Sequence, residues 1–217
     1  MERKLGQNKT MHKVTENIGT KLPLMEAFYT IQGEGFHSGK AAYFIRLGGC
    51  DVGCHWCDVK ESWDVSAFKE EKVTDMVTEA KNFPARIAVV TGGEPLMHPL
   101  ESLCQELHRE GFQTHLETSG AYQLTGSWDW ICFSPKKFKK PLPEIYQRAN
   151  ELKIVIYNQS DFRWAESFAP LVGSHCRLFL QPEWSVADKM VPSMVDYVKQ
   201  FPHWGISLQS HKYMDVP

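Results

Sequence analysis

The sequence predicts an α/β protein: an incomplete, open (β/α) barrel of about six parallel strands, with its active site at the C-terminal strand ends. Three observations support this fold class. After about residue 20, short apolar runs alternate with helix-like stretches, as in a mostly parallel sheet. The 217 residues fall short of the ~250 that a full eight-unit barrel usually takes. Polar residues and glycines collect where the predicted strands end.

Seven short apolar runs are predicted to be strands, and an earlier extended run, Leu24–Gln32, is predicted to add an edge strand. The seven runs are Ala41–Leu47, Arg86–Thr91, Gln113–Glu117, Trp130–Ser134, Glu151–Ile156, Arg177–Gln181 and Gly205–Ser210.

Helices are predicted from apolar residues at helical spacing. Gly111 stands where a C-terminal cap is expected after the second of them. Between residues 118 and 150 we expect helices to be short or absent. The three main predictions are Thr74–Asn82, Pro99–Glu110 and Pro192–Phe201, and a weaker one is Ser160–Phe168.

Chemically useful residues follow nearly every predicted strand. Because the carboxyl ends of parallel strands share one face, and that face holds the site in such folds, these residues are expected to lie together. Polar residues at strand ends are expected in any protein, because strands run into polar loops. A repeated set of Glu, Lys and His beside small residues is explained better by a shared site. The segments are Gly48–Cys50, Thr91–Pro95, Glu117–Gly120, Ser134–Lys136, Gln181–Pro182 and Gln209–His211.

Charge and hydropathy restrict the class of protein. The formal net charge is −2, so a basic face for duplex nucleic acid is not expected. No apolar run approaches the ~18 residues of a membrane span, and the polar N-terminus has no signal-peptide core. We therefore expect a cytoplasmic protein with one domain over residues 21–217. Residues 1–20 are expected to form a polar extension that is disordered or loosely docked.

Three of the six cysteines, Cys50, Cys54 and Cys57, form a C-x3-C-x2-C run. A cytosolic cysteine cluster is more often metal-binding or catalytic than disulfide-bonded. Three thiolates on one loop can hold three corners of a [4Fe–4S] cluster. No fourth Cys follows at short spacing, so the fourth iron is left open for S-adenosylmethionine, whose cleavage gives a 5′-deoxyadenosyl radical.

The alternative interpretation of the cysteines is a structural zinc site with His55 or a distant His as the fourth ligand. A C-x2-C pair alone would favour zinc, whereas the longer triple after a first strand favours the iron–sulfur cluster. The other three cysteines stand in apolar stretches, and we expect them to be buried small hydrophobes: Cys104, Cys132 and Cys176.

The cysteine run, followed after the next strand by Gly92-Gly93-Glu94-Pro95, resembles the radical S-adenosylmethionine (radical SAM) superfamily. In that superfamily the Gly-Gly-Glu stretch lies against the cofactor's amino group. Glycines permit close backbone approach, and a carboxylate complements an ammonium group.

Further segments resemble the 7-carboxy-7-deazaguanine synthase family from about Leu24 to the last residue. The resemblance implies a lyase that converts 6-carboxy-5,6,7,8-tetrahydropterin to 7-carboxy-7-deazaguanine with loss of ammonia, on the route to queuosine in tRNA modification. It also implies a flavodoxin- or ferredoxin-type reductant and a homodimer. The segments are Phe28–Gly35, Phe44–Cys50, Glu117–Gly120, Ser134–Lys136, Glu151–Lys153 and Ser210–Pro217.

The resemblance also implies which residues form the site. Arg46 offers a planar fork for the substrate carboxylate, and Glu117 can accept from ring N–H groups. The implied substrate residues are Ile31, Gln32, Gly33, Arg46, Thr91, Glu117, His211 and Pro217, the last through its terminal carboxylate. The implied S-adenosylmethionine pocket comprises Gly92, Gly93, Glu94, Ser134, Pro135, Lys136 and Gln181.

Several of these residues also have a purely structural interpretation. Arg46 could pair with a structural carboxylate, Glu117 could cap a helix, and Lys153 could extend its ammonium group to solvent. The basic run at residues 136–140 is expected to be a solvated loop beyond Lys136.

The sequence departs from the family pattern beside the cysteines. The family commonly has Cys-Asp-Thr, and the Thr hydroxyl helps to bind Mg2+ near the substrate carboxylate. Here the run is Cys57-Asp58-Val59, and valine has no oxygen to offer a hard cation. Mg2+ could still bind through Asp58, and we expect only a weak response to it.

Two other functions remain open. A glycyl-radical-activating enzyme would share the cysteine loop, but it usually lacks the Gln-Gly-Glu-Gly and His-Lys-Tyr segments. A non-enzymatic iron–sulfur carrier or zinc-binding structural protein would need a fourth ligand and would leave the polar strand ends unexplained.

Overall fold

The computed structural model describes residues 20–217. The predicted extension, residues 1–20, therefore lies outside the described residues except for Thr20. Among the described residues, no helix is long and apolar enough to cross a membrane.

Within residues 20–217, nine strands form a single sheet in the order β3-β1-β2-β4-β5-β6-β7-β8-β9. From β2 to β9 all neighbours are parallel, whereas β1 pairs antiparallel with β2 and with β3. The strands are β1 (Lys21–Ile31), β2 (Ala41–Leu47), β3 (Glu70–Lys72), β4 (Ile87–Gly92), β5 (Gln113–Thr118), β6 (Trp130–Phe133), β7 (Glu151–Ile156), β8 (Arg177–Pro182) and β9 (Trp204–Ile206).

In the described part of the chain, six α-helices accompany the sheet. The predicted open barrel is confirmed, because β3 and β9 end the sheet without pairing with each other. The helices are α1 (Val73–Ala80), α2 (Glu101–Arg109), α3 (Glu144–Arg148), α4 (Ser160–Phe168), α5 (Ala187–Gln200) and α6 (Ser210–Met214).

Some predicted boundaries were wrong. Helix α5 begins at Ala187, and Pro192, predicted as its start, lies inside it. Proline is favoured in the first turn of a helix. Here the helix continues through Pro192, because Met190 and Met194 on either side of it are buried in the apolar core. The last strand ends at Ile206 instead of Ser210, where α6 begins. Strand β1 is not wholly at the edge, because the unpredicted β3 pairs with its first residues.

Other element predictions are confirmed. Only the short helix α3 lies between residues 118 and 150. Gly111 follows α2 with a φ of 79°, which a residue with a Cβ rarely adopts.

Strand residues alternate between two environments, as the period of two requires. One face packs under the helices and supplies the apolar core, including Ile45, Val90 and Leu116. The residues between them point into the barrel, and many of these are polar. Interior residues include Arg46, Thr91, Glu117, Cys132, Lys153 and Gln181. The pattern explains how polar residues can stand inside apolar strands.

The segment after β1 covers the N-terminal end of the barrel. The Phe36 backbone N–H donates to Glu151 Oε2 over 3.0 Å, and the Phe36 ring stacks on Trp130 with centroids 5.1 Å apart. Gly35 has a φ of 63°, and a Cβ there would collide with the Glu151 carboxylate. The glycine therefore allows the chain to close this end of the barrel.

His115 lies in this closed end and should make stability pH-dependent. Burial, together with nearby His37 and Lys40, lowers the pKa of His115 from 6.5 to about 4. Between pH 6.5 and 4, His115 binds a proton in the unfolded chain but remains neutral in the folded protein. The free energy of unfolding therefore falls as pH falls from 6.5 to 4. The shift corresponds to roughly 3 kcal/mol. His115→Gln should flatten this slope in urea denaturation, whereas exposed His175→Gln should not; an unchanged slope in the first variant contradicts the assignment.

Candidate functional site

A cavity of about 230 Å³ opens at the C-terminal ends of the parallel strands. It joins the cysteine loop after β2 to the ends of β4, β5, β6 and β8. Thirteen predicted site residues line it: Arg46, Cys50, Cys54, Cys57, Asp58, Thr91, Gly92, Gly93, Glu94, Glu117, Ser134, Lys136 and Gln181.

The other predicted residues lie around the cavity without lining it. Gln32 Nε2 donates to Glu117 Oε1 over 3.4 Å, so it adjoins the wall. Gly33 packs against the His211 ring, where a Cβ would collide. Thr30 Oγ1 donates to the Pro217 oxygen over 3.1 Å, beside Ile31. Pro135 lies in the wall of a second cavity.

The cysteine loop is held by backbone hydrogen bonds to a 3-10 turn, Lys60–Trp63. The N–H groups of Gly49 and Cys50 donate to the carbonyls of Ser62 and Trp63 over 2.6 and 3.2 Å. Burial raises the pKa of the Cys54 thiol to about 11 and also raises that of Cys50. Bound iron would therefore be needed to hold these sulfurs as thiolates.

The donor set fits an iron–sulfur cluster. Among residues 20–217, no three His, Cys, Asp or Glu side chains are close enough to share one metal ion. A cubane cluster instead takes one thiolate at each of three separate irons. Cys50, Cys54 and Cys57 all face one cavity, which leaves room there for a ligand of the fourth iron.

The Gly92-Gly93 segment locks the cysteine loop in place. Gly93 N–H donates to Leu47 O over 3.1 Å, and Glu94 N–H donates to Gly49 O over 2.9 Å. A Cβ on Gly92 would collide with the Leu47 carbonyl, and one on Gly93 with the Gly49 carbonyl. The glycines are thus required by the close approach of these two loops.

Glu94 is buried, and both of its carboxylate oxygens are occupied by the protein. Oε1 accepts from Leu96 N–H at 3.1 Å and from Thr118 Oγ1 at 2.6 Å. Oε2 accepts from the Ser119 N–H at 2.8 Å and from the Ser119 hydroxyl. The carboxylate therefore ties the end of β4 to the end of β5, and it has little capacity left for a ligand.

Lys153 lies inside the barrel and does not extend to solvent, so the structural interpretation of this residue was wrong. Its ammonium group pairs with Glu34 Oε2 at 2.6 Å and with Glu117 Oε2 at 2.9 Å. Gln209 Nε2 donates to the other Glu34 oxygen over 2.9 Å. These contacts join four distant parts of the chain on the cavity floor.

The pKa values of Glu34 and Lys153 are set by burial and by the opposite charges beside them. Burial acts to raise the pKa of Glu34, but the Lys153 ammonium outweighs it and lowers the pKa to about 2. Burial acts in the opposite direction on Lys153, whose carboxylate neighbours raise its pKa well above the usual value. Glu34 and Lys153 are therefore ionised at neutral pH, and Glu117 is the second partner of the ammonium group.

Arg46 stands on β2 at the cavity edge, and its Nε donates to Glu26 Oε1 over 2.6 Å. The predicted structural pairing thus exists, but it uses only one edge of the guanidinium. Among the described residues, the terminal Nη groups have no hydrogen-bond partner, and Arg46 lines the cavity. A planar pair of donors remains available to an anion.

Lys136 crosses the cavity wall. Its Nζ donates to Ser134 Oγ over 2.6 Å and lies 5.6 Å from the centre of the Trp56 ring. Burial lowers its pKa, although nearby Cys54 opposes the shift. Lys136 therefore brings a poorly solvated positive charge beside the cysteine loop.

The surroundings of Asp58 do not fit a Mg2+ site. Asp58 Oδ2 lies 3.3 Å from the ammonium of Lys212, and Val59 contributes no oxygen. A hard cation needs several oxygen ligands, whereas this corner supplies one carboxylate that already faces a positive charge. Lys212 also lies 4.9 Å from the centre of the Trp184 ring, so it is held at this rim.

Sequence reasoning missed several cavity residues. Glu34 and Trp184 carried no prediction of their own, and Gln209 was expected only as part of the polar segment after the last predicted strand. Lys153 and Gln209, the side-chain partners of Glu34, are 119 or more residues away in the sequence. No local sequence pattern could therefore predict these contacts. Trp184 follows Pro182, where a strand-end rule extended by two residues would have found it.

Comparisons with known proteins agree with this geometry. The radical SAM superfamily model matches residues 44–125. The 7-carboxy-7-deazaguanine synthase of Flavobacterium psychrophilum is 56% identical over 199 residues, covering 92% of this chain and 94% of that protein. The Synechocystis enzyme of the same name is 45% identical and covers 95% and 99%.

A solved structure gives the same result. The crystal structure of QueE from Escherichia coli superposes with a TM-score of 0.78 at 28% identity, covering 87% of this chain and 93% of that one. With relatives this similar over nearly their whole length, the chain belongs to the 7-carboxy-7-deazaguanine synthase family within the radical SAM superfamily.

Proposed function

We propose that this chain is the lyase that converts 6-carboxy-5,6,7,8-tetrahydropterin to 7-carboxy-7-deazaguanine with release of ammonia. The observation that carries the proposal is the single cavity that holds the cysteine loop, Arg46 and the Glu34–Lys153–Glu117 group together. The cysteines provide for radical chemistry. The arginine and the carboxylates provide for an anionic, hydrogen-bonding heterocycle.

The family implies a [4Fe–4S] cluster and S-adenosylmethionine. Cys50, Cys54 and Cys57 would hold the cluster, and bound S-adenosylmethionine would supply the radical that abstracts a hydrogen atom from the substrate. Pocket residues for S-adenosylmethionine would be Gly92, Gly93, Ser134, Pro135, Lys136 and Gln181. Because its oxygens are occupied, we assign Glu94 to positioning Gly92 and Gly93 against the cysteine loop.

The chain's own side chains bind and orient the pterin. The free edge of Arg46 binds the substrate carboxylate, and Glu117 accepts from ring N–H groups with Gln32 beside it. Lys153 keeps Glu34 ionised and fixes the direction of both Glu34 and Glu117. Fixed dipoles and charges of this kind orient a substrate without reorganisation during the reaction.

Arg46→Ala should spare the cluster and raise the Michaelis constant for the pterin by about tenfold or more, since a hydrogen bond to a charged group contributes about 1.5–3 kcal/mol. Steady-state kinetics at fixed S-adenosylmethionine, with iron content as a check, measure this. Arg46→Lys keeps the charge but loses the fork, so it should restore only part of the affinity. An unchanged Michaelis constant in Arg46→Ala would show that the carboxylate is bound elsewhere.

No catalytic step is assigned to Mg2+. Because Asp58 faces Lys212 and Val59 offers no oxygen, turnover should change less than about twofold when Mg2+ is added or chelated. Isothermal titration of Mg2+ into the reconstituted protein should show no site that depends on Asp58. A large rate gain with Mg2+ that chelation removes, or binding lost in Asp58→Asn, contradicts this.

One reaction separates the proposed function from the alternatives. Anaerobically reconstituted protein with reductant, S-adenosylmethionine and carboxytetrahydropterin should yield the deazapurine, measured by mass spectrometry. Cleavage of S-adenosylmethionine with untouched pterin would favour a glycyl-radical-activating enzyme. No reaction despite a full cluster would favour an iron–sulfur carrier, and zinc in place of iron would favour a structural protein.

The family resemblance supports five further proposals. Residues 21–217 form one catalytic domain, the protein is cytoplasmic, and it works as a homodimer. A flavodoxin- or ferredoxin-type protein supplies the electron. The product enters queuosine biosynthesis.

A further inference from the structure

A second cavity, of about 170 Å³, lies on the outer side of the cysteine loop. Its walls combine aromatic rings with lysine side chains. It shares Trp56, Lys136 and Val155 with the first cavity, so these side chains adjoin both cavities. The remaining lining residues are His55, Pro135, Lys137, Phe138, Tyr157, Asn158, Asp161 and Trp164.

The rings around this cavity pack on one another and face outward. The His55 ring meets those of Phe138 and Tyr157 edge-to-face, with centroids 5.5 and 5.4 Å apart. Phe138 is 44% exposed and Tyr157 is 37% exposed, although both are large apolar groups. Exposed aromatic groups that cluster around a cavity are typical of a surface that binds a partner.

The position of this surface relative to the cluster ligands is unusual. His55 and Trp56 are the two residues between Cys54 and Cys57. A molecule seated against His55 and Phe138 is therefore separated from the sulfur ligands by one layer of side chains. Of the described surface, this is the part where the cysteine loop itself presents aromatic rings to solvent.

The loop that carries Phe138 also has an excess of positive charge. Four lysines lie within five residues, at 136, 137, 139 and 140. Lys137 pairs with Asp161, and Lys139 pairs with Asp51 at 2.7 Å. Exposed Lys140 has no carboxylate partner among residues 20–217. The whole chain has a net charge of −2, so this local excess stands out and favours an acidic partner.

We propose that this surface is the docking site of the acidic protein that reduces the cluster. The surface comprises His55, Trp56, Phe138 and Tyr157 together with Lys137, Lys139 and Lys140. One electron leaves the partner's reduced group and enters the oxidised cluster through the layer at Trp56; no bond forms or breaks. Small apolar contacts with a charged rim suit the weak, transient complexes of electron carriers. The inference rests on the proposed function, because it requires a cluster that must be reduced.

The test compares two electron sources in the same reconstituted enzyme. Turnover is measured with dithionite and, separately, with flavodoxin, its reductase and NADPH. Lys140→Glu and Phe138→Ala should each lower the flavodoxin-driven rate about five- to tenfold at low salt. Both variants should leave the dithionite-driven rate unchanged. Lys199→Glu, the same charge change on α5, should behave as wild type in both assays.

Binding of flavodoxin is measured independently of turnover by isothermal titration calorimetry at two salt concentrations. The wild-type dissociation constant should rise with salt, and that of Lys140→Glu should be higher and less salt-dependent. Equal loss with both reductants, equal loss in Lys199→Glu, or unchanged flavodoxin binding in both surface variants overturns the docking site. Failure of wild-type turnover with dithionite would instead contradict the proposed function.

Discussion

Cys50→Ala should abolish formation of the [4Fe–4S] cluster and reduce lyase turnover below detection. Two thiolates cannot hold three corners of a cubane cluster, because each cysteine is needed to hold one iron. The measurements are iron and sulfide content after anaerobic reconstitution, the visible absorption of the cluster, and product formation.

Cys176→Ser is the matched control for this loss. Cys176 is partly buried, lies just before β8 and lines neither cavity. It should reconstitute with the wild-type iron content and retain turnover. A full cluster in Cys50→Ala would mean that another residue is the third ligand, and the assignment of the loop would fail.

Lys153→Met should lower the free energy of unfolding by about 3 kcal/mol or more and remove pterin binding. The change leaves Glu34 and Glu117 as close carboxylates without their shared ammonium, and breaking a buried ion pair from one side typically costs about 3–5 kcal/mol. Urea denaturation monitored by circular dichroism measures the stability, and titration with substrate measures the binding.

Two variants make the interpretation of Lys153→Met specific. Lys81→Met removes a surface pair with Glu110 and should cost less than about 1 kcal/mol. Adding Glu34→Gln to Lys153→Met removes one of the stranded charges and should restore part of the stability, but not substrate binding. If Lys153→Met is no more destabilising than Lys81→Met, the buried ion group does not stabilise the fold as argued.

The sequence was sufficient to predict the barrel and most of its strand ends. Arg46, Thr91 and Glu117 were expected to lie together because parallel strands all end at the same side of the sheet. In the structure the three residues line one cavity. The cysteine spacing likewise pointed to one loop. These features depend on local pattern together with one topological rule.

The contacts that the sequence did not reveal are those that join distant segments. Lys153 is 119 residues from Glu34, and only folding shows that the segment after β1 enters the barrel. Glu94 was expected to face a ligand, but the structure directs its oxygens to Thr118 and Ser119. Hydrogen-bond partners of a buried carboxylate follow from tertiary geometry, which residue types alone do not determine.

The central claim is that the cysteine loop and the Arg46–Lys153 side of one cavity act on the same pterin molecule. It is tested most directly with carboxytetrahydropterin deuterated at its abstractable ring C–H positions, in an anaerobic turnover with S-adenosylmethionine and dithionite. Mass spectrometry should find deuterium in the 5′-deoxyadenosine that accompanies formation of the deazapurine. If 5′-deoxyadenosine forms without deuterium, the radical does not act on the bound pterin and the account is contradicted.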